Sequence, residues 1–562
     1  MPFNSYEFIF IFLPVTLGGF WLLTRSMGRN GAIGWLILVS LGFHAYAGWK
    51  SLAIVVLSIL LTYLFVQLLL RSGEERHRQR LLILIAGVTA DIALLGYFKY
   101  KNFFLDTANV LFERNFELEA LILPLGISFL TFQKIALLAD VYAGTIRNVR
   151  FSDYAIFTLF FPRTVSGPIV RYEEIVPQFA TINANVIAQN APVAICLFAI
   201  GIFKKTVIAD GLAPFASPAF VSADPVSFIV AWSSVLAYTF QLYFDFSGYT
   251  DMALGAARLF GIKLPMNFNS PFRSCSIVEF WNRWHITLTR FLTAYVYTPI
   301  VLHLTRARLE KGKQVLRGRR STGPAVAILV GMPTLLTMAI SGIWHGAGWQ
   351  FVIWGLLHGI YLTINQSWRI LRPRFWSDQT SYERIMKPLG WMLTFGAVVV
   401  ALAFFRADSV PRALNIVTGM FGMNGFLPFD AQLLESMGFK PLEIVEFMRP
   451  FHTFYWIGAL LLGTLVLPNS LEILRRFEPA LDFSRESDGI ATSLVLQASS
   501  GQSKPKQAKS LVGLLRSTWT EFRNVRHEGI YLTKSTAVIA ALVWTIGVMA
   551  ISASNAFIYG QF

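Results

Sequence analysis

The run Ser341–Gly359, SGIWHGAGWQFVIWGLLHG, places His345 and His358 among three tryptophans, Trp344 and Trp349 included. The stretch is apolar and long enough to cross a bilayer. An imidazole in hydrocarbon costs free energy unless it faces a partner, a cavity or a water path. An ionisable side chain at that depth is therefore a functional-site candidate by default. Histidine is also the side chain that takes and returns a proton near neutral pH, the task of a general base or acid. The competing reading is an interfacial histidine held by a backbone carbonyl and flanked by belt tryptophans. A second histidine upstream, His285, in a similar Trp-rich setting, favours chemistry.

His285 lies in Pro271–Thr298, PFRSCSIVEFWNRWHITLTRFLTAYVYT. Ser276 followed by Glu279 is a capping-box pattern and predicts a helix start. On a continuous helix Trp281 and His285, four residues apart, share a face, and Glu279 is placed to pair with Arg283. The segment is too charged and aromatic for lipid, so it is expected at the interface or along an internal cavity. An amphipathic interfacial helix with an incidental histidine is the alternative. In Gln241–Gly261, QLYFDFSGYTDMALGAARLFG, the carboxylates Asp245 and Asp251 interrupt an apolar stretch. Uncompensated carboxylates there are expensive. Pairing with Arg163, Arg273 or Arg283 is expected, with orientation of a histidine as the other role.

A three-histidine zinc site from His285, His345 and His358 is disfavoured, and no metal is expected. His345 and His358 lie about 220° apart around a continuous helix, pointing away from each other unless Gly346 and Gly348 break it. No His-Glu-x-x-His spacing occurs. The two cysteines, Cys196 and Cys275, are far apart and make neither a disulfide framework nor a metal motif. Cys275 is read as a small hydrophobe rather than a nucleophile.

Composition says what scaffold must position these groups. Of 562 residues 54% are hydrophobic and only 14% charged, and mean hydropathy is +0.53. A soluble chain carries about 25% charged residues. Apolar runs of about 18–22 residues recur along nearly the whole chain, whereas an outer-membrane barrel shows short alternating segments. The expected fold is all-α, a polytopic transmembrane bundle of about 11–14 membrane helices with re-entrant or interfacial elements. The formal charge of +16 does not indicate nucleic acid. Its basic residues sit in short loops between apolar runs, and no basic, aromatic-studded soluble domain accompanies them. The partner so implied is the lipid bilayer.

Spans are expected near residues 6–24, 32–49, 51–70, 81–98, 119–142, 189–208, 226–246, 323–343, 346–366, 387–405, 453–470 and 535–556. MPFNSYEF has no basic n-region, so no cleavable signal is expected. Arg25 and Arg29 follow the first span, which puts the N-terminus outside. Arg71, Arg76, Arg78 and Arg80 after the third span, and Arg147 and Arg150 after the fifth, agree with that parity. Phe157–Val170, FTLFFPRTVSGPIV, has Pro162, Arg163, Gly167 and Pro168 at membrane depth and is expected as a bent or re-entrant element. His303–Gly323 reads as a cytosolic loop, with Arg306, Arg308, Lys311, Lys313, Arg317, Arg319 and Arg320 against Glu310 alone. Leu471–Thr533 is a second cytosolic segment. Its middle, Ser484–Ser510, reads as disordered. Leu511, Leu514, Leu515, Trp519 and Phe522 then suit a helix on an anionic membrane surface or a loop helix packed on the protein.

WNRWHITLT at 281–289, SGIWHGAGWQFVIWGLLHG at 341–359 and LYFDFSGYTDMALG at 242–255 resemble the membrane-bound O-acyltransferase family. The resemblance is to its bacterial branch, which includes the alginate O-acetyltransferase and the teichoic-acid D-alanyl transferase. FLPVTLGGFWLL near the start, LGYFKYKNFF at 95–104, LPLGISFLTFQ at 123–133 and FPRTVSGPIVR at 161–171 are similar to the same branch, in the same order. The likeness covers residues 5 to about 410, which suggests a core at 1–425 and a C-terminal membrane region at 426–562. It implies a helix bundle around a central tunnel that a donor enters from the cytosol, with the acceptor on the outer side. The family's histidine pair falls on His345, as the catalytic residue, and His285. Trp281, Trp284, Trp344, Trp349, His358, Asp245, Asp251 and Arg163 are expected to line or support the site.

The resemblance implies no bound cofactor, and an acetyl-CoA or acyl-carrier thioester as donor substrate. It also implies a polysaccharide acceptor, a periplasmic acyl-transfer partner protein and residence in the bacterial inner membrane. The chemistry fits: acyl transfer from a thioester needs a base or an acyl relay, and donors for the oxyanion. Where alginate-type enzymes carry a Trp-Leu-Arg-Asp-Tyr-like run after the first histidine, this chain has RFLTAYVYTPI, which argues for another acceptor. Two other readings stand beside this one: a transporter or channel using the histidines as a proton relay, and a non-catalytic scaffold.

Overall fold

The computed structural model of the protein describes residues 1–119, 121, 123–222, 224–316, 321–372, 375–376, 378–426, 441–481, 525, 529–531 and 533–551. These form an all-α membrane bundle. Among the described residues the only non-helical pairing is one isolated bridge, Phe268 to Trp284.

The principal helices are α1 (Leu13–Ala45), α2 (Trp49–Arg71), α3 (His77–Leu95), α4 (Lys101–Phe112), α5 (Ile127–Tyr142) and α6 (Phe151–Leu159). They continue with α7 (Val186–Phe203), α8 (Phe228–Leu259), α9 (Ile277–Trp281), α10 (Ile286–Leu292), α11 (Thr298–Glu310) and α12 (Met332–His345). The last are α13 (Trp349–Leu371), α14 (Gln379–Arg406), α15 (Val410–Met420), α16 (Pro441–Val466) and α17 (Lys534–Met549). Six stretches among the described residues are long and apolar enough to cross a membrane: Phe8–Ala45, Trp49–Arg71, His77–Phe112, Val186–Ala216, Gly323–His345 and Gln379–Arg406. The first two expected spans join in one helix bent at Gly28, where φ 65° departs from helical geometry between Arg25 and Arg29. The predicted span at 119–142 is shorter: α5 has 16 residues and begins only after Pro124 and the left-handed Gly126.

The predicted broken element is present. α6 stops at Phe160, one turn follows at Phe161–Thr164, and the chain then runs without regular structure to Tyr172. Irregular backbone at this depth must be packed in protein and hydrogen-bonded. Ser40 Oγ accepts from the Phe161 amide at 3.2 Å, and Thr287 Oγ1 accepts from the Ile169 amide at 3.0 Å.

α8 is the axis of the bundle, buried along nearly all of its 32 residues. Facing other helices rather than lipid, it tolerates Gln241, Asp245, Ser247, Thr250 and Asp251. It meets α7 through glycines. A Cβ on Gly201 would lie 2.6 Å from Gly248 O, and one on Gly248 2.7 Å from Gly201 O. Small residues at such crossings let helix backbones approach closely in lipid. α17 packs on α7 and the turn that follows it, with Trp544 5.5 Å from Phe198 and Thr206 Oγ1 donating to Gly547 O at 2.7 Å. The disorder predicted for Ser484–Ser510 and the surface helix from Leu511 to Phe522 lie outside the described residues.

Candidate active site

His345 is the last residue of α12, and Gly346 and Gly348 are extended, so the helix breaks and α13 starts at Trp349. The two helices fold back as a hairpin through another glycine contact. A Cβ on Gly342 would sit 2.3 Å from Phe351 O, and one on Gly355 2.3 Å from Met338 O. This register brings both His345 and His358 against the Trp354 ring, at 5.0 and 4.9 Å between centroids.

His285 arrives from elsewhere and corrects one expectation. α9 ends at Trp281, and His285 is left-handed (φ 46°, ψ 51°) at the start of α10. Trp281 and His285 therefore do not share a helix face. The Ser276 cap itself is made: its side chain accepts from the Glu279 amide, and Glu279 pairs with Arg283 at 3.0 Å. The turn at 282–285 swings the His285 ring to 6.3 Å from His345 and 6.2 Å from Trp344. Trp281 instead donates from Nε1 to His358 Nδ1 at 3.3 Å. All three histidines are buried.

Trp344 stacks on Phe132 at 4.9 Å, and Trp284 stacks on Phe280 at 5.7 Å. Both belong to the cluster. Trp349 does not: it is 52% exposed and touches Phe103 at 5.6 Å. Its place one residue past the helix break turns it outward.

The carboxylates pair with lysines, not with the arginines expected from the sequence. Lys205 Nζ is 2.7 Å from Asp245 and 2.7 Å from Asp210, and Lys204 Nζ is 2.7 Å from Asp251. Arg273 goes to Glu472. Arg163 is fully buried with its guanidinium 4.9 Å over Phe157, and its nitrogens have no hydrogen-bond partner among the described residues. Asp245 still bears on the site through its neighbour Phe246, whose ring meets His285 edge-on at 4.9 Å.

Sequence reasoning missed several residues. Lys99 Nζ donates to the carbonyls of Trp344 (2.7 Å) and His345 (3.1 Å), and Tyr100 donates to Ile343 O at 2.7 Å. Together they satisfy the last carbonyls of the helix that carries His345, with a cation at its negative dipole end. Asn267 holds His285 Nδ1 at 3.0 Å. Trp354 and Phe405 wall His345, at 5.0 and 5.2 Å. Lys99 lay within LGYFKYKNFF and was a visible signal, a lysine in an apolar span.

Two cavities adjoin the cluster. One of about 20 Å³ touches His345 and His358 and is otherwise lined by Phe280, Trp284, Trp354, Leu402, Phe405 and other apolar side chains. The other, about 230 Å³, lies beyond Trp281; its lining mixes apolar Val278, Leu292, Met338 and Leu362 with polar groups such as Asn282, Thr289, Thr334, Thr337 and Gln366. Thr334 and Thr337 come from the start of α12, Gln366 from late in α13, Thr293 and Tyr297 from the turn between α10 and α11, and Asn282 and Thr289 from the segment around α10; this is the end of the hairpin next to the basic loop. Among the described residues no group of three or more His, Cys, Asp or Glu side chains is placed to hold a metal.

Residues 142–316 match the profile of the MBOAT, membrane-bound O-acyltransferase family. A peptidoglycan O-acetyltransferase of Helicobacter pylori is 41% identical over 451 residues, 75% of this chain and 80% of that protein. This chain belongs to the membrane-bound O-acyltransferase family. A probable alginate O-acetylase of Azotobacter vinelandii is 36% identical, over 76% of this chain and 80% of that one. A teichoic acid D-alanyltransferase of Streptococcus thermophilus is 30% identical, over 50% and 68%. The protein is thus a multi-pass membrane O-acyltransferase. The MBOAT match takes in His285 and ends before the α12–α13 hairpin, which supplies His345.

Proposed function

We propose that the protein moves an acetyl group from a cytosolic thioester, acetyl-CoA or an acyl carrier, to hydroxyls of an envelope polysaccharide at the bacterial inner membrane. A periplasmic partner protein completes the transfer. The observation that carries this reading is the pair of buried imidazoles, His285 and His345, at 6.3 Å, near a cavity of mixed polar and apolar lining on the basic-loop side. Basic residues mark the cytosolic side of a membrane protein. Arg306, Arg308, Lys311 and Lys313 at that end suit the anionic phosphates of such a donor. The cavity beyond Trp281, where hydroxyl and amide groups alternate with apolar side chains, suits an arm that carries both amides and methylenes.

At the far end His345 acts as general base. It takes the proton of the attacking hydroxyl while the hydroxyl oxygen bonds the acyl carbon. The carbon–sulfur bond then breaks, and His345 passes the proton it took to the departing thiolate. The pocket at His345 has room for about one water molecule, a size that suits a methyl group. Relatives named as O-acetyltransferase and O-acetylase support acetyl as the group, and a cell-envelope polymer as acceptor.

The test is the ester-linked acyl content of the host's envelope polysaccharides, wild type against His345→Ala at matched membrane expression. Loss of ester from one glycan supports the reading and identifies the acceptor. Unchanged acylation removes His345 from the catalytic role.

A further inference from the structure

Asn267 lies between α8 and α9, in the loop MNFNSPFRS, and is fully buried. Its side-chain oxygen receives three contacts: the Thr287 amide at 3.3 Å, the Thr287 hydroxyl at 2.9 Å and His285 Nδ1 at 3.0 Å. A backbone N–H can only donate, so the atom it meets is the amide oxygen and not the nitrogen. The Thr287 hydroxyl already accepts from the Ile169 amide at 3.0 Å, and its own proton is turned to Asn267. The other end of the side chain agrees. Asn267 Nδ2 has no partner among the described residues, and Asn267 lines a small polar cavity with Ser247, Thr250 and the Asp251 carboxylate, groups that suit a donor. The Asn267 carbonyl also accepts from the Ile286 amide at 3.0 Å, which ties the loop to the left-handed turn at His285.

A neutral imidazole carries one proton on one nitrogen. An oxygen with only lone pairs facing Nδ1 places that proton on Nδ1. We propose that Asn267 is a positioning residue that locks His285 as its Nδ1–H tautomer, leaving Nε2 as a lone-pair nitrogen. His285 is then a hydrogen-bond acceptor beside His345 and not, in its neutral form, a donor to a thioester oxyanion. The irregular Val165–Val170 segment belongs to the same device, because the Ile169 amide sets the direction of the Thr287 hydroxyl. The catalytic consequence rests on the acyltransferase reading above; the tautomer does not.

The test is magic-angle-spinning NMR of the full-length protein, ¹⁵N-labelled at histidine, in lipid nanodiscs at neutral pH. The His285 signals are assigned by their loss in His285→Gln. The expected result is a protonated, pyrrole-type Nδ1 and an unprotonated, pyridine-type Nε2. His345→Ala should keep that pattern, so a failure of the catalytic reading leaves this outcome readable. Asn267→Leu should shift the proton toward Nε2 and lower kcat by about 10²-fold with the donor KM unchanged. Asn267→Asp retains an accepting oxygen and should restore the Nδ1–H form. A wild-type His285 protonated at Nε2, or at both nitrogens, overturns the proposal. So does an Asn267→Leu protein with wild-type tautomer and kcat. If Asn267→Leu does not fold, the wild-type spectrum alone decides.

Discussion

Gly355→Ala adds a single methyl group and should nearly abolish turnover. The added Cβ would lie 2.3 Å from Met338 O, where ordinary contact begins at 3.4 Å. The obstacle is backbone, which no rotamer change relieves, so α12 and α13 must part by about 1 Å. His345 sits on one side of that seam and Trp354 and His358 on the other. A misplacement of about 1 Å costs roughly 10²-fold in rate where geometry is catalytic. Intrinsic helix propensity works in the opposite direction, favouring alanine by about 1 kcal/mol, so a loss cannot come from the helix itself. Overpacking of this kind costs about 1–3 kcal/mol of stability, which leaves a foldable protein. Gly359→Ala one turn on is the control: its Cβ would meet Leu335 no closer than 3.2 Å. The assay is ester acylation of the envelope glycan at matched membrane expression, with thermal unfolding in detergent alongside. The reasoning is refuted if Gly355→Ala stays within about threefold of wild type, under 1 kcal/mol of barrier. It is refuted equally if Gly359→Ala is just as damaging.

Lys99→Met strips the cap from the Trp344 and His345 carbonyls. Turnover should fall about tenfold with the donor KM unchanged, a loss of about 1.4 kcal/mol, and Lys99→Arg should recover part of it; a changed KM with intact kcat would place Lys99 on the substrate instead. Lys205→Met leaves Asp210 and Asp245 buried without their shared cation, at a cost of about 3–5 kcal/mol. It should appear as loss of folded protein from the membrane fraction, partly restored when both aspartates become asparagine. Trp349→Ala should leave acylation within about threefold of wild type, since that ring lies outside the cluster; a larger drop returns it to the site.

Local signals in the chain were read correctly where a few residues decide. Pro162, Gly167 and Pro168 mark the broken element, because proline lacks a donor and glycine relaxes the backbone within a turn. Gly346 and Gly348 were the condition for His345 and His358 to approach, and both are extended. Ser276 caps its helix as its spacing with Glu279 implied. The same local reasoning failed at His285, six residues after Glu279. Nothing in WNRWHIT announces a left-handed histidine, a conformation that costs an L-residue free energy and persists only where surrounding contacts impose it.

What the sequence determined by itself is the medium, the helical class and the family. Apolar runs leave a chain in lipid little choice but helices, since every backbone group must find its partner within the segment. Which side chains then meet was decided by the tertiary structure alone. Asp245 and Asp251 chose Lys205 and Lys204 over three arginines. Lys99 reached the end of a helix about 245 residues away, and Asn267 took hold of His285. The reason is geometric. Helix period and caps act within a turn or two, whereas pairing between helices follows from the depth and register at which glycines such as Gly201, Gly248, Gly342 and Gly355 let two backbones touch.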